Sequence, residues 1–161
     1  MIIREATESD WPAIWSLFRA VCASGDSYAY DEQTSEEVAR KLWFDPPARG
    51  FVSLEGEHFL GTYFLRQNQP GRGSHVANGG YMVTETARGR GVASAMCAHS
   101  IEMAKKLGYR AMQFNYVVST NEVAVRTWRK HGFELVGTLP NAFRHATLGY
   151  VDVFMMYREL I

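Results

Sequence analysis

The segment Val83-Thr84-Glu85-Thr86-Ala87-Arg88-Gly89-Arg90-Gly91-Val92-Ala93 constrains this chain more than any other. Upstream of it, residues 75–83 read as a strand. Gly79-Gly80 interrupts that strand, and such a pair signals a bulge or the close approach of another group. Downstream, Ala93, Met96, Cys97, Ile101, Ala104 and Leu107 recur at helical spacing, with Gly108 as the stop. A strand therefore passes through a glycine-rich turn into a helix. The first amides of a helix lack internal partners and carry the positive end of its dipole. Glycines let those amides curve around an anion with no Cβ in the way, and Arg88 and Arg90 add charge. This is the chemistry of a phosphate cradle. A P-loop signature is absent, and a dinucleotide fingerprint would need glycine where Ser94 stands. Taken alone, the segment also admits a plain surface turn with two solvated arginines.

The rest of the chain surrounds this unit with alternating elements. Residues 1–5 read as a strand. Thr7 and Asp10 have the spacing of a helix start, with Ile14, Leu17, Phe18 and Val21 behind them and Gly25 as the stop. Thr34 and Glu37 repeat that spacing before a helix that ends at Asp45-Pro46-Pro47. Phe51–Leu54 and Phe59–Arg66 form a hairpin about Glu55-Gly56-Glu57. Residues 111–118 are a strand, residues 121–131 a helix closed by Gly132, and residues 133–139 and 152–158 two last strands. Phe143-Arg144-His145 falls in a long loop between them. The expectation is one α/β (α+β) domain over residues 1–161 with a mixed sheet.

Composition narrows the partners. Lys+Arg and Asp+Glu are both 17, so the formal net charge is zero. That gives no electrostatic ground for a nucleic-acid or membrane partner. Cys22 and Cys97 lie in apolar helical stretches and read as buried free thiols of a reducing compartment. The N-terminus has no signal region, and the expected location is cytoplasmic. No His, Cys, Asp or Glu set has metal-ligand spacing. His99 and His131 read as surface or packing residues.

Arg88-x-x-Gly91-x-Ala93 matches the signature of the GNAT family of N-acetyltransferases. Val83 stands where that family has an aliphatic residue at the end of its splayed central strand. Asn121, Ala124, Trp128, Gly132 and Phe133 follow the family's second motif. The chain is thus identified as resembling a GNAT acetyltransferase over nearly its whole length. The resemblance implies a splayed sheet of about seven strands flanked by about four helices. Ser74-His75, Asn78, Phe114-Asn115 and Thr120-Asn121 also resemble the yeast-type acetyltransferases of azetidine-2-carboxylate and proline-related imino acids.

What the resemblance implies about chemistry is specific. Acetyl-CoA is the co-substrate and no metal is needed. Backbone at Met82 and Val83 would pair with the pantetheine arm and polarise the thioester, and Arg88, Gly89, Arg90, Gly91, Val92 and Ala93 would hold the pyrophosphate, with Asn121 near the coenzyme. Asn78 and Asn115 would orient the acceptor between two central strands, and Tyr28 and Tyr30 lie where the family builds acceptor walls. From the residues alone, Arg144 is either a contact to a substrate carboxylate or a solvated loop charge. The amine must lose a proton before attack. His75 is a candidate water-relayed base, and Glu85 a weaker one beyond the strand end. Trp128 occupies the place of the family's proton-donating tyrosine, and an indole N–H is a poor acid; Tyr116 is a nearby substitute. The partner is a small-molecule amine, with a homodimer as an option. A coenzyme A-binding sensor without turnover and a protein N-terminal acetyltransferase are the alternative functions.

Overall fold

The computed structural model describes all 161 residues. The elements run β1 (Ile2–Glu5), α1 (Trp11–Ser24), α2 (Glu36–Phe44), β2 (Arg49–Glu55), β3 (His58–Gln67), β4 (Val76–Val83), α3 (Val92–Lys106), β5 (Ala111–Val118), α4 (Glu122–Lys130), β6 (Glu134–His145) and β7 (Gly149–Glu159). They form one seven-stranded sheet in the order β1-β2-β3-β4-β5-β7-β6. This matches the mixed sheet with four helices expected above.

Alternation along the strands sends side chains to two cores. On one face, Phe51, Tyr63, Leu65, Ala77, Met112 and Phe114 pack with Met96, Cys97 and Ile101 of α3 and Trp128 of α4. On the other, Val52, Phe64 and Met82 pack with Trp11, Ile14, Phe18, Leu42 and Trp43 of α1 and α2. Cys22 and Cys97 are buried free thiols, pushed up by burial to about 11 and about 12.

All neighbouring strands are antiparallel except β4 and β5, which pair in parallel through Val76↔Ala111 and Ala77↔Met112 alone. Beyond these residues the two strands part. The β5-facing edge of Asn78–Val83 therefore has no strand partner, and a gap opens toward the end of β4.

Three local expectations are corrected. The cap of α2 is Ser35, not Thr34, and its hydroxyl accepts from the Val38 amide. Thr7 and Asp10 bound a short 3-10 turn, and α1 starts only at Trp11. The segment holding Phe143, Arg144 and His145 is not a long loop. It pairs in β6, with Phe143↔Val151 and Arg144↔Tyr150, up to a tip at residues 146–148. The loop signal came from Pro140 and Asn141, which sit at a register shift where Asn141 adopts φ 53°. An edge strand tolerates such an interruption.

Candidate active site

The glycine turn builds a cradle from backbone. Gly89 and Gly91 take φ 75° and 78°, the left-handed region that disfavours side chains, and a Cβ at either would meet nothing within 4 Å. Gly91 precedes α3 as its cap, with no side-chain bond there. The amides of Gly89, Gly91, Val92, Ala93 and Ser94 donate to no group of the chain, whereas that of Arg90 is committed to the Ala87 carbonyl at 3.4 Å. Five amides at the turn and the start of α3 thus lack a partner in the chain, with open space at Gly89 and Gly91, an arrangement suited to the oxygens of a pyrophosphate. Arg88 forms no ion pair. Arg90 is held by Glu55 at 2.6 Å, at the end of β2.

The strand leading into this cradle divides its backbone between two neighbours. The Thr84 amide donates to the Leu60 carbonyl, and a Cβ on Gly61 would lie 2.5 Å from the Met82 carbonyl oxygen. Both place the even-numbered residues toward β3. Alternation then turns the backbone groups of Tyr81 and Val83 toward the gap. Met82, expected at the gap, faces the other way because its peptide groups belong to the β3 ladder. Hydrophobic pattern does not distinguish Tyr81 from its neighbour Met82, and only the register with β3 turns the Tyr81 peptide to the gap.

Gly79 and Gly80 mark a close approach and no bulge, since β3 and β4 keep register throughout. A Cβ on Gly80 would stand 2.6 Å from the Tyr28 hydroxyl and 2.7 Å from the Phe64 ring. The Tyr28 hydroxyl donates to the Tyr81 carbonyl at 3.4 Å, and burial raises its pKa well above the ordinary phenol range. Tyr28 and Tyr30 both pack on Phe18. Tyr28 therefore lies over β4 beside the gap.

Asn78 and Asn115 share a face. Ala77 and Met112 are registered partners on the α3 side, so Asn78, Gln113 and Asn115 point to the α1 side. Asn78 is half-buried and its amide bonds to no group of the chain. Asn115 is engaged at both ends: its amide donates to Asn68 Oδ1 at 2.6 Å, and its oxygen accepts from Gln113 at 2.9 Å. Asn121 caps α4, its oxygen accepting from the Ala124 amide at 3.2 Å.

Other candidates lie farther out. His75 precedes β4, exposed, with Nδ1 against the Arg72 carbonyl at 3.1 Å. The length of β4, roughly 25 Å at its usual rise, separates it from the cradle. Glu85 is exposed in the turn beyond β4. Arg144 is exposed on β6. The hairpin tip reaches the end of α1, where the Ala146 amide donates to the Gly25 carbonyl at 2.8 Å. Burial pushes the nearby Asp26 carboxyl up, but bonds from Ser24 and Ser27 and the charges of Arg88 and His145 outweigh it and hold the group low. The hairpin tip and the segment after α1 meet there, and the charge of Arg88 acts on Asp26.

Trp128 is buried, with its ring centroid 4.7 Å from Tyr81 of β4 and 5.0 Å from Phe114 of β5. It fills the α3 side of the gap. Its indole N–H has no partner, and Ser53 Oγ is the one sealed, unpartnered side-chain atom of the chain, so the indole nitrogen reaches the surface. The Tyr116 hydroxyl donates to the Ala142 carbonyl. No group of three or more His, Cys, Asp or Glu side chains is placed to hold a metal, and no helix is long and apolar enough to cross a membrane.

This architecture has close relatives. A GCN5-related N-acetyltransferase from Kribbella flavida superposes with a TM-score of 0.94 at 44% identity, covering 98% of this chain and 96% of that one. The chain is 30% identical over 164 residues to the L-amino acid N-acetyltransferase AaaT of Escherichia coli K12, covering 98% of this chain and 97% of that protein. It is 32% identical over 97 residues to the N-acetyltransferase aca1 of Schizosaccharomyces pombe, a match over 60% of this chain that spans about half, 46%, of the relative. Residues 9–133 match the acetyltransferase (GNAT) family model, and the chain belongs to that family.

Proposed function

We propose that residues 1–161 form one acetyl-CoA-dependent N-acetyltransferase domain that moves an acetyl group to the amine of a small amino or imino acid. The observation that carries this reading is the row of five free amides at the start of α3, lying at the end of a strand whose gap-facing edge is unpaired. The name of the AaaT relative, an L-amino acid N-acetyltransferase, supports the acceptor class. So does the likeness of Asn78, Asn115 and Asn121 to the yeast-type imino-acid acetyltransferases.

In this reading the cradle amides and Arg88 bind the donor's pyrophosphate. The amides of Tyr81 and Val83 lie along the pantetheine arm and polarise the thioester carbonyl. Asn78 orients the acceptor, and the amide chain through Asn115 fixes the wall beside it. The neutral amine nitrogen attacks the thioester carbon, the new N–C bond forms, and the C–S bond breaks with the electron pair leaving on sulfur. The amine's proton passes to water. His75 stands away from the gap, and Trp128 supplies packing in place of an acid, so the thiolate departs without a dedicated donor. The buried thiols Cys22 and Cys97 suit a reducing cytoplasm.

Thiol release with acetyl-CoA and a panel of amino acids, imino acids and simple amines tests the assignment. Losing one hydrogen bond in such a site costs about 1–3 kcal/mol, roughly ten- to a hundredfold in acceptor efficiency. Asn78→Ala and Asn115→Ala are expected to show that loss with acetyl-CoA affinity kept. Full efficiency in both variants would move the acceptor elsewhere. Trp128 in the proton donor's place favours a second reading, a coenzyme A-binding sensor. Binding of acetyl-CoA with no thioester consumed by any amine would select it.

A further inference from the structure

By sequence, Arg66 ends a strand beside a polar loop, where a solvated charge is the ordinary outcome. The fold gives it a different setting. Arg66 is the registered partner of Asn78 across the β3–β4 ladder, so both project from the same face. Its guanidinium is turned back over the ring of Phe64, 5.7 Å from the centroid. That ring is held edge-on by Trp43 and lies against Gly80. The cation is therefore aimed toward the part of β4 that carries Asn78 and Gly80.

Arg66 is half-buried, and none of the chain's seven ion pairs involves it. On the same face of the sheet, Arg4 is satisfied by Asp10 at 2.7 Å. A cavity of about 250 Å³ opens beside Arg66 and is also lined by Pro47 and Asn68. Asn68 is the residue that accepts from Asn115. The cavity thus holds an unpaired guanidinium with five donors beside Asn68, with Asn78 next to Arg66 across the ladder and the amide chain of Asn115 and Gln113 running on from Asn68. It holds donors and neutral acceptors but no carboxylate. That is a site for an anionic planar group with two oxygens, which a guanidinium grips in a fork.

We propose that Arg66 anchors the acceptor's α-carboxylate, with Asn78 beside it, and so selects free amino and imino acids over amines and amides. The inference rests on the acetyltransferase reading and specifies its substrate. It assigns Arg66 to binding, and the bonds made and broken in acetyl transfer are unchanged.

The test compares kcat/KM for L-proline and L-alanine with that for their primary amides, at saturating acetyl-CoA, by thiol release. The parent is expected to prefer the acids. Arg66→Gln should cut the acid-over-amide ratio by roughly ten- to a hundredfold, mostly through KM for the acid. Arg66→Lys, which keeps charge and loses the fork, should fall between. Acetyl-CoA affinity, measured by calorimetry, verifies that each variant is folded. A ratio unchanged in Arg66→Gln, or a parent that prefers amides, overturns the anchor. Asn78→Ala should lower acid and amide together. If it lowers neither while Arg66→Gln still cuts the ratio, the Asn78 placement falls and the carboxylate anchor stands.

Discussion

The Ser94 hydroxyl, in the first turn of α3, lies 2.8 Å from Nε2 of His131, the residue that closes α4. The bond joins the helix start that presents free amides to the end of the helix behind the gap. Burial, then the charges of Lys130 and Arg158, hold the His131 imidazole below its ordinary 6.5. The unfolded chain therefore binds a proton that the folded one resists. Stability from this group is full above pH ~6.5 and is lost as pH falls through the folded value. His99 is lowered too, by burial and Lys106, so the parent alone does not isolate the effect. Urea unfolding of the parent and of His131→Asn should show the gap between them narrowing from pH 7.5 toward acid, in the range of about pH 5–7. A gap independent of pH would detach His131 from this role.

Gly91→Asp should abolish acetyl-CoA binding in calorimetry while the fold survives. The φ of 78° costs a side chain about 1–2 kcal/mol, and no atom within 4 Å blocks the Cβ. The carboxylate would occupy the open space there and repel an anion. Unchanged affinity would remove the cradle from its assigned role.

Trp128→Phe should keep the chemical step. The ring is 7% exposed between Tyr81 and Phe114, so the smaller ring costs about 1–2 kcal/mol in thermal or urea unfolding. Removing a true proton donor would cost ~100-fold or more in turnover. Single-turnover rates separate these outcomes, and a fall of that size with donor affinity intact would make the indole chemical.

Gly80→Ala should destabilise the fold by about 1–3 kcal/mol, because the new methyl meets the Tyr28 hydroxyl and the Phe64 ring. Tyr28→Phe removes one of those obstacles. A double-mutant cycle in urea should therefore show the Gly80→Ala penalty reduced in the Tyr28→Phe background. Simple additivity would mean that Tyr28 does not cover β4 as described.

The glycine turn was legible because its left-handed backbone at Gly89 and Gly91 leaves its mark as glycine. The order of strands and helices was legible from hydrophobic period. Side-chain placements were harder. Arg66 gains its meaning from Asn78 across the ladder, and Asn115 from Asn68, two residues far away in the chain. Which peptide of Tyr81–Val83 faces the gap depends on register with β3, which hydrophobic pattern alone does not specify. Pro140 and Asn141 imitated a loop inside a strand pair that absorbs them as a shift in register.

The two residue pairs that join β4 to β5 have an architectural consequence. Strands β1–β4 and strands β5–β7 are each contiguous in sequence and purely antiparallel, two leaves sewn together by one short seam. The crevice between them is a joint left unfinished. A molecule lying in it and touching both edges completes the cross-section, so occupancy tightens the whole sheet by mass action, about 2.7 kcal/mol at a hundredfold excess over Kd. With the coenzyme placed there as proposed, resistance to heat and proteolysis would track its supply, and the catalyst would last longest where its donor is abundant.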